Sequence, residues 1–258
     1  MNWEKKRILV TAKAYPEKST KYGETVCVAG ITEEGEFIRL YPVHFNYFRK
    51  GNNKIRKFSW IEVECAKNVK EKLQRKESYK LRDLNGIKII DEELTKQPVK
   101  WKPRNELIKP LVSESIEFLQ EKYKEDKTSL GIVKVHELNE FYSRKPVDEI
   151  DMEQSKIMQA TLFQGKQSIL QQMPHIFRYK FKCSPDCPTI HDMSVEDWEV
   201  FEFFRNGFTF YKGDYDVLWE KMKERFDSFM KTRDLHFILG TDSQWAKWMI
   251  IGIYYPPK

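Results

Sequence analysis

The chain has 258 residues and a net charge of +6, with 40% hydrophobic and 14% aromatic residues. This composition excludes an intrinsically disordered protein, and no apolar run approaches the ~18 residues that a membrane-spanning helix needs. Because the opening MNWEKKRILV lacks the apolar stretch of a signal peptide, we expect a cytoplasmic protein.

Short strands dominate the first hundred residues. RILVTAKAY, ETVCVAGIT, EFIRLYPVHF and KFSWIEVECA are rich in β-branched or aromatic residues, and GIKIID predicts a further short strand. Gly35 in ITEEGEF can take the positive φ of a tight hairpin turn. Four or five short strands of this kind predict a small barrel.

The middle of the chain changes between helix and strand. Apolar residues recur at near-helical spacing over 104–127, where Pro110 favours a break into two pieces. TSLGIVKVHELNEFY then predicts strand structure, and residues 149–172 read as a surface helix or a linker. In HIFRYKFKC, aromatic and basic residues alternate, which is typical of a half-buried strand.

Two helices and two strands complete the pattern. Ser194 followed by Asp197 resembles a capping box for the first helix, and Asp214 can cap the second. LHFILGT and KWMIIGIYYP predict the closing strands.

The order of elements predicts an α+β fold made of two small OB-like β-barrels with a helical insertion in the C-terminal half. We expect an N-terminal OB-like barrel with a basic face over residues 1–100. A second barrel-like β domain, with helices and a Cys–Cys–His segment, is expected over residues 101–258. The sequence contains no Gly-rich phosphate loop after a strand and no GxSxG or HExxH motif.

Positive charge is concentrated in one window. Residues 49–88 hold thirteen basic and five acidic residues, so this window carries +8 and the rest of the chain −2. A basic block on a nearly neutral body indicates a polyanion-binding face, although an ordinary solvated surface or an acidic protein partner would share the pattern.

Aromatic residues accompany these bases, and OB-type barrels bind single strands by combining both. In FIRLYPVHF, strand alternation places Arg39 and Tyr41 opposite the apolar Ile38 and Leu40, so we expect both to face outward. The predicted nucleic-acid-binding residues are Arg39, Tyr41, His44, Tyr47, Arg49, Lys50, Lys54, Arg56, Lys57, Arg75 and Lys76.

The segment CSPDCPTIH has the residue types and spacing of a metal site. Zinc thiolate sites gather cysteines through a tight turn, commonly with a histidine. Cys183, Cys187 and His191 are therefore the predicted ligands of a structural zinc ion. His175 would lie about 26 Å from Cys183 along an extended strand, too far for a fourth ligand. Asp186, Asp192 or a remote residue such as Glu199 is expected instead, and free thiols or a disulfide are the alternatives.

Several segments resemble the dual OB-containing domain family of prokaryotic nucleic-acid-associated proteins. The segments are ETVCVAGITEEGEFIRLYPV, TSLGIVKV, FRYKFKC and FILGTDSQWAKWMIIGIYY. The resemblance implies two OB-like barrels and a nucleic-acid-associated role in prokaryotic defence or nucleic-acid-modification systems. It supplies no catalytic residues.

These observations predict a nucleic-acid-binding recognition subunit without chemistry of its own, which works with a protein partner in the same system. Single-strand or backbone-directed binding to DNA or RNA is expected. One alternative is a metal-dependent hydrolase or nuclease that uses Cys183, Cys187 and His191 with Asp197 or Glu199. The other alternative is a protein–protein interaction module.

Overall fold

The computed structural model of the protein describes residues 2–15, 17–19, 23–48, 54–69, 75–96, 101–144, 175–242 and 245–258. The strands of the described residues are β1 (Glu4–Lys13), β2 (Glu17–Ser19), β3 (Gly23–Thr32), β4 (Phe37–His44), β5 (Trp60–Lys67), β6 (Ser78–Leu81), β7 (Lys88–Asp91), β8 (Val112–Ser113), β9 (Leu130–Lys134), β10 (Glu137–Ser143), β11 (Phe177–Lys182), β12 (His191–Ser194), β13 (His236–Thr241) and β14 (Trp248–Tyr254). The predicted helix or linker over 149–172 lies outside these residues.

Four helices accompany the strands in the described part of the chain: α1 (Trp101–Ile108), α2 (Ile116–Asp126), α3 (Trp198–Phe210) and α4 (Tyr215–Lys223). The fourth helix continues through a π-helical turn (Glu224–Ser228) into a last helical segment (Phe229–Lys231). In the described part of the chain, no helix is long and apolar enough to cross a membrane.

Five strands of the N-terminal half close into a barrel. β1 pairs with β3 and β5, β3 pairs with β4, and β6 lies between β4 and β5. Only the β4–β6 pairing within this ring is parallel. Closure by five short strands is OB-like and confirms the predicted N-terminal barrel. The sequence did not predict β6, because its residues, SYKL, are mostly polar and read as a connection.

The barrel strands are buried on both faces. Ile8 and Val10 of β1 point into the barrel, whereas Leu9 between them packs against the C-terminal half. In β3, Val28 points inward and Ala29 outward in the same way. The outer layer is completed by strands β9, β13 and β14, which contribute Ile132, Ile238 and Ile251. We call this buried layer between the barrel and the C-terminal sheet the seam.

The C-terminal half contains two open sheets, so the prediction of a second closed barrel was wrong. Among the described residues, β10, β11 and β12 form one sheet, while β8, β9, β13 and β14 form another. β8 has only two residues and cannot extend its sheet into a ring. Helices fill the core instead, with Phe204 of α3 packed 5.5 Å from Phe177 of β11, ring centre to ring centre.

The helix boundaries follow local sequence signals. The predicted helix over 104–127 is divided into α1 and α2 by a 3₁₀ turn that contains Pro110. Asp214 caps α4 by accepting a hydrogen bond from the Val217 N–H, as predicted. The predicted capping role of Ser194 was wrong, because Ser194 ends β12, and Asp197 caps α3 itself.

A buried cation lies in the seam. Arg39 is only 3% exposed, and its guanidinium donates to the carbonyl oxygens of Thr241 (2.9 Å) and Ser129 (2.8 Å). The expected outward, available position of Arg39 was therefore wrong. Its side chain does point away from the barrel interior, but the C-terminal sheet covers that face.

Two more charged residues extend this network. Arg75 donates to the same Thr241 carbonyl oxygen at 3.1 Å, and the Glu77 carboxylate accepts from the backbone N–H and the hydroxyl of Ser129. Burial and the neighbouring Arg39 lower the pKa of Arg75 to about 10. Both arginines thus serve to join the two halves of the protein.

We expect the substitution Arg39→Met to lower the free energy of unfolding by roughly 2–5 kcal/mol, because two buried carbonyl oxygens lose charged donors. Urea denaturation measures this loss. The control Arg82→Met removes an exposed arginine paired with Glu64, and it should cost less than about 1 kcal/mol. If both variants lost the same free energy of unfolding, Arg39 would not be a buried link between the two halves of the protein.

Candidate nucleic-acid interface and metal centre

A cleft of about 490 Å³ opens at the end of the seam, where the barrel, α1, α3 and β14 meet. Five basic and two acidic residues line it, so its charge is positive. The charged lining residues are Lys13, Lys54, Arg56, Lys57, Arg104, Glu199 and Glu202. The aromatic lining residues are Phe58, Trp101, Trp198, Phe203, Tyr254 and Tyr255.

Lys57 forms part of the floor and is almost fully buried. Its ammonium donates to the Ile253 carbonyl oxygen at 2.6 Å and lies 3.8 Å from Asp197 Oδ2 and 4.0 Å from Glu199 Oε2. Burial by itself lowers the pKa of Lys57, but the carboxylates of Glu199 and Asp197 outweigh it and leave this pKa raised. Lys57 is therefore a fixed positive charge that is already paired within the protein.

Lys13 lies deeper against aromatic rings. Its Nζ atom is 5.8 Å from the ring centre of Phe48 and 5.7 Å from that of Trp198. Burial lowers the pKa of Lys13, although the carboxylates of Glu199 and Asp197 oppose this shift. An anion in the cleft would favour the charged form of this amine.

Arg104 and Trp101 connect α1 to the cleft wall. The guanidinium of Arg104 is stacked between Phe58 (4.4 Å) and Trp101 (5.0 Å) and donates from Nε to the Leu94 carbonyl oxygen at 2.7 Å. Trp101 also lies 5.7 Å from Tyr255, ring centre to ring centre. Trp101, Phe203 and Tyr255 are half-buried, so each ring presents surface to the cleft.

Lys54 and Arg56 form the accessible rim. Lys54 is half-buried and Arg56 is exposed. Arg56 pairs with Glu92 at 3.3 Å, with 57% of its side chain exposed. An ion pair exposed to this degree contributes about 0–1 kcal/mol, so a phosphate can readily replace Glu92 as its partner.

The structure brings three of the predicted binding residues together at this cleft: Lys54, Arg56 and Lys57. Tyr41, His44 and Tyr47 are half-buried on the barrel, and the Tyr47 hydroxyl accepts from the Ile87 N–H. Lys76 is exposed and pairs with Asp126. Arg49 and Lys50 lie outside the described residues.

The sequence did not single out Lys13, Trp101, Arg104, Trp198 or Tyr255 as cleft residues. They come from β1, α1, α3 and the end of β14, and only the folded chain places them side by side. Trp101 does stand between Lys100 and Lys102, with Arg104 two positions further on, and this local alternation of basic and aromatic residues could have singled out Trp101 and Arg104.

The predicted metal ligands converge at the hairpin between β11 and β12. The Cys183 and Cys187 sulfurs are 3.7 Å apart, and His191 Nε2 lies 3.4 Å and 3.1 Å from them. In the described residues these three side chains form a group that could hold a metal ion. The cysteines are free thiols, which leaves their sulfurs available to a metal.

The chemistry of this donor set fits a zinc ion. Burial raises the pKa of the Cys183 thiol to about 11, and it lowers the pKa of His191 despite the nearby Glu117 carboxylate. Burial thus keeps the imidazole neutral, the form that binds metals, while a metal would have to displace the thiol proton.

The carboxylates expected to supply a fourth metal ligand interact with other residues or lie outside the cluster. Asp192 pairs with Arg178 at 2.7 Å, and Glu199 faces Lys57 at the cleft. Asp186 is exposed and does not belong to the group of ligand atoms found in the described residues. Asp197 caps α3 near Lys57, so neither Asp197 nor Glu199, the acids named for the hydrolase alternative, joins the cysteine cluster among the described residues.

Two family models match the chain. Domain of unknown function (DUF8758) matches residues 4–110, and Domain of unknown function (DUF8757) matches residues 112–258, which is more than half of the sequence. The chain belongs to the DUF8757 family. The DUF8757 segment contains the three side chains that could hold a metal ion, whereas the cleft takes residues from both matched segments.

Two solved structures are similar to the chain at low identity. One is a chain of a Replication Protein A heterotrimer bound to ssDNA, with 10% identity and a TM-score of 0.40, over 100% of this chain and 50% of that chain. The present chain thus spans half the length of that relative. The other is a murine DNA binding protein bound with ds DNA, with 10% identity and a TM-score of 0.34, over 99% and 95% of the two chains. TM-scores this low carry no argument about function. No curated protein matches the chain.

Proposed function

We propose that this protein binds single-stranded nucleic acid across the cleft and acts as a recognition subunit without chemistry of its own. The observation that carries the proposal is the convergence of basic side chains and half-buried aromatic rings in one cleft. Proteins that bind single strands combine a positive groove, which follows the backbone, with rings on which bases stack.

The two classes of side chain would have different tasks. Lys54 and Arg56 on the rim contact phosphates, while Trp101 and Tyr255 offer ring surface to bases. The buried Lys13 adds positive potential from a region of low dielectric, where charge acts more strongly than in water. In a duplex, base pairing would keep the bases away from the aromatic rings. Single-stranded nucleic acid is therefore the expected ligand.

The C-terminal half covers the face of the barrel on which OB-type barrels usually bind their ligand, so a ligand has to bind elsewhere. OB-type barrels commonly bind oligonucleotides on the face of their second and third strands. In this protein those strands are β3 and β4, and the seam buries residues such as Ala29 and Arg39 on their outer face. The cleft is where basic and aromatic side chains reach the surface beside that face.

The remaining predicted residues can extend the path of a bound strand. Tyr41, His44, Tyr47 and Lys76 stay proposals for this purpose, as do Arg49 and Lys50. A role in a prokaryotic defence or modification system, with a protein partner, stays a proposal too. An acidic protein ligand is the competing occupant of the cleft, and binding measurements on cleft variants separate the two.

The double substitution Lys54→Glu and Arg56→Glu should weaken binding of a labelled oligothymidylate about tenfold or more, because repulsion replaces attraction at two phosphates. Fluorescence anisotropy at several salt concentrations measures the affinity. The slope of log K against log salt should fall by about 0.7 for each phosphate that the variant no longer neutralises.

The matched control for this charge reversal is Lys221→Glu, an exposed change on α4 away from the cleft lining. It should leave the affinity nearly unchanged. If the rim variant binds oligothymidylate as well as the unaltered protein does, the cleft is not the nucleic-acid site. Loss of an acidic protein ligand without loss of the oligonucleotide would favour the competing occupant.

Trp101→Ala should weaken oligothymidylate binding by about 1–3 kcal/mol, the contribution of one stacked base. The control is Trp245→Ala, because Trp245 is 83% exposed and does not line the cleft. Binding isotherms and thermal melts of both variants distinguish a missing stacking interaction from a folding defect. If both substitutions changed the affinity for oligothymidylate equally, the bases would not stack on Trp101 in the cleft.

We infer in addition that Cys183, Cys187 and His191 hold zinc as a structural ion. The support is the close approach of two buried sulfurs and a ring nitrogen within one hairpin. The hydrolase alternative relied on Asp197 or Glu199, and both of these carboxylates face Lys57 instead. Zinc would then fasten the turn between β11 and β12.

Protein purified without added metal should contain one zinc per chain, and a chelator should lower its melting temperature by at least about 5 °C, because metal binding contributes to folding. Cys187→Ser should abolish the zinc content. Cys27→Ser, a change in a cysteine outside the cluster, should preserve it. Metal-free protein from every preparation would refute the zinc site.

A further inference from the structure

A fourth side chain reaches the cysteine cluster from a distant part of the sequence. Glu117 belongs to the first turn of α2, and its Oε1 atom lies 3.5 Å from His191 Nε2. Its Oε2 atom lies 4.0 Å from the Cys183 sulfur. The carboxylate therefore lies beside two of the three predicted ligands.

Local structure fixes Glu117 at this point. Ser115 caps α2 by accepting from the Phe118 N–H at 3.1 Å, which sets where the helix begins. Ile116 and Leu119 on either side of Glu117 are buried in the C-terminal core. The first turn of α2 is thus held against the hairpin.

The distances among the two sulfurs and the ring nitrogen are close to the edges of a metal tetrahedron. Zinc bonds of about 2.3 Å to sulfur and about 2.0–2.2 Å to nitrogen and oxygen give edges of about 3.8 Å (S–S), 3.5 Å (S–N), 3.6 Å (S–O) and 3.4 Å (N–O). Here the sulfurs are 3.7 Å apart and lie 3.4 and 3.1 Å from the ring nitrogen. The two Glu117 oxygens contact different atoms: Oε2 lies 4.0 Å from the Cys183 sulfur and Oε1 lies 3.5 Å from His191 Nε2. Among the described residues Glu117 stands outside the group whose ligand atoms are all within 4.8 Å of one another, so its carboxylate would have to turn to bring one oxygen to the ion.

Hydrogen bonding does not account for this arrangement equally well. His191 Nε2 has two sulfurs and one carboxylate oxygen within 3.5 Å. A ring nitrogen either donates one hydrogen bond or accepts one, so it satisfies only one of these three neighbours. One cation at the centre would satisfy both sulfurs and the ring nitrogen at once, and a turn of the Glu117 side chain would add one of its oxygens.

We propose that Glu117 is the fourth zinc ligand and closes a Cys₂HisGlu site, an inference that rests on the structural zinc proposed above. Four protein ligands leave no open position for a substrate or an activated water, which is the arrangement of a structural site. The ion would join α2 to the β11–β12 hairpin, although Glu117 and Cys183 are 66 positions apart in the sequence.

Cobalt substitution tests the assignment. Apo-protein is titrated with Co²⁺, whose visible d–d bands report coordination geometry and whose near-ultraviolet bands report bound thiolates. The unaltered protein should bind one ion with the intense bands of a tetrahedral site. Glu117→Gln should weaken Co²⁺ and Zn²⁺ binding at least about 10–100-fold, since outer-shell changes alone cost that much. Its d–d bands should change while its thiolate bands remain.

The control is Glu121→Gln, which neutralises an exposed glutamate one turn further along α2. It should keep the affinity and spectrum of the unaltered protein. If Glu117→Gln also keeps both, Glu117 is not a ligand, and the zinc proposal survives with a different fourth ligand. If the unaltered protein binds neither metal, the structural zinc itself is refuted, and this inference falls with it.

Discussion

The packing of the C-terminal sheet onto the outer face of the barrel is the constraint on which the rest of this structure depends. It turns barrel strands that could have one solvated face into strands buried on both faces, with Ile8 on one side and Leu9 on the other. Burial on both faces requires that any polar group in the seam be satisfied internally. The two terminal nitrogens of Arg39 meet this requirement through the carbonyl oxygens of Ser129 and Thr241, whereas its buried Nε atom has no hydrogen-bond partner among the described residues.

The seam also decides where a ligand can bind. It occupies the outer face of β3 and β4, so the surface that an isolated OB-like barrel would offer is part of the interior. At the end of the seam the two halves diverge, and side chains from both line the resulting cleft. Lys57 lies where the buried seam becomes the open cleft. Its ammonium donates a hydrogen bond to the Ile253 carbonyl oxygen of β14, and the same residue lines the cleft.

Helix α2 links the cysteine hairpin to the barrel. Its first turn places Glu117 beside His191, and near its other end Asp126 pairs with Lys76 of the barrel at 2.6 Å. The backbone N–H of Lys76 also donates to the Lys127 carbonyl oxygen. A metal that holds the start of α2 would therefore help to fix the position of the barrel relative to the hairpin, although no metal ligand comes from the barrel.

Local sequence determined the elements with strong short-range signals. The strands of the barrel other than β6, the break at Pro110, the Asp214 cap and the grouping of Cys183, Cys187 and His191 could all be predicted, because each depends on residues within a few positions of one another. Strand alternation even predicted correctly that Arg39 points away from the barrel interior.

Only the tertiary structure decided what covers Arg39, why the second half forms open sheets around helices, and which residues share the cleft. It also placed Glu117 beside a cluster 66 residues away along the chain. These features depend on contacts between elements distant in sequence. No periodicity or spacing within one segment encodes such contacts, because they are selected by the burial of complementary faces when the whole chain folds.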